Sequence, residues 1–298
     1  MSDPASDADA VTAFWRGLGL PGVFDTHVHF LPPNVQRAVW QHFDHAGPKI
    51  GRPWPIRYRD SVEARVEQLR SFGVRRFPTL PYAHKPGIAA YLNDWARGFK
   101  AEVPESLWSA TLFPEPEAAA YVAALVADGV EVFKVHVQVG EFDLDDPLLD
   151  DAWGTLADAG TPVVIHAGSG PVGNAHTGPA GLRRLLARHP RLVAVIAHMG
   201  APEWVEFLEL AETYERVHLD TTMVFTDFFP PYPAELLPRV AALQERVLLG
   251  SDFPTIPHPY AHQLEGLARL DLADDWLRAV CWDNGARLFG PVTPTGPA

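Results

Sequence analysis

Short apolar runs rich in Val, Ile and Leu recur along the chain, and longer stretches with helical spacing of apolar residues lie between them. The runs fall at Val23 to His29, Val74 to Leu80, Leu107 to Phe113, Val130 to Val139, Pro162 to Ala167, Leu192 to Ala197, Val217 to Thr221 and Val247 to Leu249. Nearly continuous apolar runs of this length suit strands buried on both faces, as in a parallel sheet covered by helices. Helices are expected at Ala64 to Phe72, Gly87 to Lys100, Glu115 to Ala127, Asp146 to Ala159, Gly181 to Arg188, Pro202 to Thr213 and Ala234 to Gln244, with two more at Tyr260 to Leu270 and Asp274 to Leu288. Eight strands, each leading to a helix, predict an α/β fold of the (β/α)8 TIM-barrel type with an extra C-terminal helix. Pro32 to Asp60 has no clean period and reads as a long loop or lid inserted after the first strand. An open doubly wound sheet is disfavoured, because neither a Gly-rich phosphate loop nor an immediate helix follows the first strand.

The length of 298 residues, 47% of them hydrophobic, supports one large core, and no linker divides the chain. A single domain over 1–298 is expected, with its core at about 22–290 and residues 1–12 flexible. The formal charge of -13 is spread over the sequence, which argues against nucleic acid or an anionic membrane as partner. A lone cysteine, Cys281, excludes an intramolecular disulfide and reads as a packed thiol. With no apolar run near the ~18 residues that span a bilayer, and no signal-peptide pattern at the start, a cytoplasmic protein is expected.

The chemistry-bearing residues sit where the strands end. In Val23-Phe24-Asp25-Thr26-His27-Val28-His29, alternate side chains of an extended strand share a face, so His27 and His29 can grip one metal ion together. Three later runs also end in His166, His198 and Asp252. In a parallel barrel these C-terminal strand ends meet around one axis, which is where active sites form. Other histidines have plainer roles: His189 at a helix end, His42 and His45 in the lid, and His218 inside a strand.

Four motifs carry a resemblance: Phe24-Asp25-Thr26-His27-Val28-His29, Val164-Ile165-His166-Ala167-Gly168, Val195-Ile196-Ala197-His198-Met199-Gly200 and Leu248-Leu249-Gly250-Ser251-Asp252-Phe253-Pro254. Together they resemble the amidohydrolase superfamily, within its amidohydrolase-related branch, which also contains metal-dependent decarboxylases. The resemblance implies one divalent metal, most simply zinc, held by His27, His29, His166 and Asp252. Asp252 would also accept a proton from water, and His198 would bind or protonate the substrate's developing oxyanion. It also raises a binuclear variant in which a carboxylated Lys134 bridges two metals.

The fourth run alternates, sending Lys134, His136 and Gln138 to one face, so Lys134 and His136 are candidates for substrate contact. His84, His176 and the lid residue Arg57 are further candidates, because a guanidinium fork suits a substrate carboxylate. The expected activity is hydrolysis of an amide, lactone or ester of a small substrate, with nonoxidative decarboxylation of an aromatic or unsaturated acid as the alternative. Proline-rich segments at 32–55 and 228–238 would suit a homodimer contact.

Overall fold

The computed structural model describes residues 4–290. Among the described residues nine strand segments, each parallel to its neighbours, follow one another in chain order. They are β1 (Val23–Phe24), β2 (Val74–Pro78), β3 (Ser106–Leu107), β4 (Ser109–Thr111), β5 (Val132–His136), β6 (Val163–His166), β7 (Ala194–Ile196), β8 (Val217–Asp220) and β9 (Val247–Leu248). β3 and β4 are one stave interrupted at Trp108, the first bonded to β2 and the second to β5, so all eight expected strands are present. The ring closes beyond β1 and β9, where the Thr26 amide donates to the Leu249 carbonyl at 2.8 Å and Val28 bridges Phe253.

Side-chain alternation divides the core into two layers. Phe24, Leu107, Val132, Val164, Val195 and Leu248 pack together as the plug of the barrel, whereas Val163, Ile165, Ala194 and Ile196 belong to the larger cluster shared with the helices. Each is fully buried, and each such Val, Ile, Leu or Phe contributes about 1.5–3 kcal/mol relative to exposure. The plug leaves the opposite, C-terminal ends of the strands for polar residues.

Three expectations are corrected. The lid is not a long loop, because Pro33–Ile50 forms helix α2. Pro33 sits in the first turn, where no amide partner is needed, and Gly51 closes the helix at φ 83°. Only Gln36 and Ala46 of α2 are buried, so no apolar period betrays it. The fourth run stops pairing at His136, and Val137–Gly140 turns into one helical turn, which removes Gln138 from the face it would share with Lys134.

The start of the chain is the third correction. Of residues 1–12, 1–3 lie outside the described residues, and from Pro4 the rest belongs to helix α1 (Pro4–Gly17). Val11 and Trp15 are buried, and the Trp15 indole donates to the Phe72 carbonyl at 3.1 Å. Phe72 ends α3 (Val62–Ser71), whose first turn is capped by Ser61. Gly73 must follow, since a Cβ there would lie 2.7 Å from the Trp15 ring nitrogen. Among the described residues no helix is long and apolar enough to cross a membrane.

Candidate metal centre and active site

His27, His29 and Asp252 offer ligand atoms that all lie within 4.8 Å of one another. The Nε2 atoms of the two histidines are 3.2 Å apart, and Asp252 Oδ1 is 3.1 Å from His29 and 3.7 Å from His27. Their outer hydrogen bonds fix what these atoms are. His27 Nδ1 faces the Asp220 carboxylate at 2.8 Å, and His29 Nδ1 faces the Leu80 carbonyl at 2.9 Å. Both partners only accept, so each Nδ1 carries the proton and each Nε2 presents a lone pair. Two imidazole lone pairs and a carboxylate oxygen therefore converge with no proton among them. That arrangement calls for a cation, and the donor set fits a divalent transition metal.

Burial holds His27, His136, His166 and His198 neutral. It drives His27 down to about 3, helped by the Lys134 charge and opposed by Asp220. His166 and His136 are pushed well below the usual imidazole range, and His198 is lowered, in each case chiefly by burial. Burial would raise Asp252, but its close approach to His29 and the surrounding imidazoles outweighs it and holds the carboxyl below the usual carboxylate range. Of the three converging side chains Asp252 is the most open, 18% exposed against 9% for His29 and 1% for His27.

The backbone at the site departs from regular geometry. Asp252 has φ 65° and His198 φ 53°, both in the left-handed region that costs a non-glycine residue about 1 kcal/mol or more. The Asp252 amide is held by the His27 carbonyl at 2.8 Å, and the His198 amide by Asp220 Oδ1 at 2.8 Å. Gly250 is required by close approach, because a Cβ there would lie 2.1 Å from Thr222 Oγ1 and 2.7 Å from His27 Cβ.

His166 and His198 flank the cluster without entering it. The His198 ring lies 5.0 Å from that of His27 and 4.8 Å from that of His166. His166 Nε2 faces the Gly170 carbonyl at 3.1 Å and so carries the proton, which leaves its lone pair on Nδ1. His198 Nδ1 donates to the Thr222 carbonyl at 3.0 Å, so its Nε2 accepts. The neutral ring is thus poised as an acceptor, not as the oxyanion donor that the motif suggests.

Lys134 is fully buried, with Nζ 3.4 Å from His27 Nε2, and burial lowers it to about 8. His136 pairs with His166 in register, and the two rings stack at 3.9 Å. His84 is exposed on the loop after β2, while His176 bonds Asp143 at 2.9 Å. The Arg57 amide donates to the Ile256 carbonyl, and its guanidinium lies 5.9 Å from the Tyr58 ring centre. The structure therefore brings Lys134 and His136 to the cluster, whereas His84 lies exposed and His176 pairs with Asp143.

Two contributors escaped the motifs. Asp220 ends β8 as Asp252 follows β9, and the same rule of an acid closing an apolar strand points to it. Tyr82 lies 5.4 Å, ring to ring, from both His29 and His136, and nothing in its local sequence marks it. Tyr82 and Phe229, the latter 5.7 Å from the His198 ring, give the site aromatic walls.

The chain is thus a parallel barrel with a His-His-Asp cluster that could hold a metal ion at its C-terminal strand ends. The amidohydrolase family model matches residues 24–290, and the chain belongs to that family. A search of curated proteins gives no match. Among solved structures, an uncharacterised TIM-barrel protein from Bordetella bronchiseptica is similar at 17% identity and TM-score 0.73, over 90% of this chain and 98% of that one. A 2,6-dihydroxybenzoate decarboxylase complexed with 2,6-dihydroxybenzoate is similar at 18% identity and TM-score 0.68, over 91% and 99%. A 5-carboxyvanillate decarboxylase from Novosphingobium aromaticivorans with bound manganese is similar at 16% identity and TM-score 0.64, over 90% and 97%.

Proposed function

We propose that the protein is a metal-dependent hydrolase that cleaves an amide, lactone or ester of a small substrate. What supports this most is the convergence of the two Nε2 lone pairs and the Asp252 carboxylate, which need a cation between them. His27, His29 and Asp252 would hold a divalent ion, zinc or manganese, and His166 Nδ1 would offer a fourth donor. When bound, the ion supplies Lewis acidity and brings a water's pKa toward neutrality. Asp252, ionised and open to the mouth, accepts the proton of that attacking water. His198 Nε2 orients the water or a substrate hydroxyl by accepting its hydrogen bond. The departing group leaves with the proton first taken by Asp252.

A second reading is nonoxidative decarboxylation of an aromatic acid. The aromatic walls of Tyr82 and Phe229 favour it, as does similarity to two barrels named for that reaction. The two readings separate in a screen of metal-loaded protein against lactones, esters, amides and hydroxybenzoic acids, following acid release and carbon dioxide in parallel. Hydrolysis without carbon dioxide supports the first reading; carbon dioxide from a hydroxybenzoate replaces it with the second.

A further inference from the structure

We infer that Asp7, on the amino-terminal helix that precedes the family-matched residues, is a positioning residue for the metal cluster. The inference rests on the proposed metal reading of that cluster. Asp7 is 2% exposed, and an ionised carboxylate that deep is costly unless it is fully hydrogen-bonded. Its partners are specific. Oδ1 accepts from the Ala261 amide at 2.9 Å, and Oδ2 accepts from the Tyr260 amide at 3.1 Å and from the Tyr58 hydroxyl. Asp7 thereby caps, from another part of the chain, the helix Ala261–Ala268, and its charge meets the positive end of that helix.

The bonds continue inward. The Tyr260 hydroxyl donates to Asp25 Oδ2 at 2.7 Å, and Asp25 Oδ1 accepts the amides of His27 and Ser251, both at 3.1 Å. Those two residues are a metal-ligand candidate and the immediate neighbour of another, Asp252. The Tyr58 hydroxyl, which also accepts from the Tyr260 amide at 2.7 Å, ties the segment after α2 to the same point. Tyr58 and Phe253 rings pack at 4.9 Å, as do Phe72 and Tyr260. One carboxylate on α1 therefore fixes the segment that runs from Asp252 to the helix after it.

The test uses the full-length protein, zinc alone as the probe, and a competing chelator to read Kd, with Tm measured alongside. Asp7→Ala and Tyr260→Phe should each weaken zinc binding about tenfold, the low end for removing support behind a ligand. Val11→Ala, a core truncation on the same helix, should lower Tm while leaving Kd within about twofold of wild type. Asp7→Glu should recover part of the Asp7→Ala loss. Tyr260→Phe removes one hydroxyl and keeps the ring packing, so it remains informative where Asp7→Ala does not fold. Wild-type Kd in Asp7→Ala or Tyr260→Phe, or an equal shift in Val11→Ala, would overturn the inference while leaving the metal site intact. Wild-type protein that binds no zinc would instead overturn the metal reading and the inference with it.

Discussion

Asp220 Oδ2 lies 2.8 Å from Nδ1 of His27, and the other oxygen of the same carboxylate takes the amides of His198 at 2.8 Å and Thr222 at 3.1 Å. One buried side chain thus sets the tautomer of a ligand candidate and the backbone of the flanking histidine. Burial would raise its pKa, but the His27 ring beside it, which donates its Nδ1 proton, outweighs that, so Asp220 stays ionised.

Asp220→Asn should therefore keep the barrel but weaken metal binding by about 10–100-fold, because an amide can present its NH2 to His27 and free the wrong nitrogen. Metal titration with a competing chelator checks this. An affinity equal to wild type would mean that His27 is oriented by packing alone.

Purified protein should carry close to one equivalent of divalent metal, and His27→Ala, His29→Ala and Asp252→Ala should each lower that content sharply. His166→Ala should have the smallest effect of the four, since its ring lies outside the converging group. Elemental analysis distinguishes the cases. Two equivalents, with a mass increment on Lys134, would indicate a carboxylated bridge.

Asp252→Asn keeps one coordinating oxygen but loses the basic carboxylate. On a substrate found by the screen it should retain much of the metal and lose turnover by a factor of roughly 10² to 10⁴. His198→Asn should bind metal as wild type does and also lose turnover. Steady-state rates on metal-quantified samples test both, and unimpaired Asp252→Asn turnover would remove Asp252 as the proton acceptor.

His218 gives an expectation about pH that is independent of the metal. It lies on β8, with Nδ1 unpaired, and burial, then the charges of Arg246 and Arg287, lower it to about 4. The folded protein thus keeps this ring neutral where the unfolded chain, at about 6.5, protonates it. The contribution is fully present above pH 6.5 and is lost as pH falls toward 4, by roughly 3 kcal/mol. Thermal melts at pH 7.5 and 4.5 should show a larger fall in Tm for wild type than for His218→Leu. Equal falls would show that the ring is protonated without penalty.

Sequence alone determined the eight-stave barrel and the strand ends that carry His27, His29, His166, His198 and Asp252. Buried parallel strands must be apolar throughout, and a ligand at such an end stands out as a polar residue closing an apolar run. Helix α2 stayed hidden because only Gln36 and Ala46 of it are fully buried, and α1 because its polar opening conceals a buried Asp7. The spatial grouping could not be read from the chain either. Which nitrogen of each histidine carries the proton depends on Asp220, Leu80, Thr222 and Gly170, and of these Leu80 and Asp220 lie 51 and 193 residues from the histidines they orient. That His166 falls outside the converging group while Lys134 and Tyr82 come beside it follows from where the closed ring places each stave. Tertiary structure decided those relationships because they are made between staves, through hydrogen bonds and packing with no local sequence period.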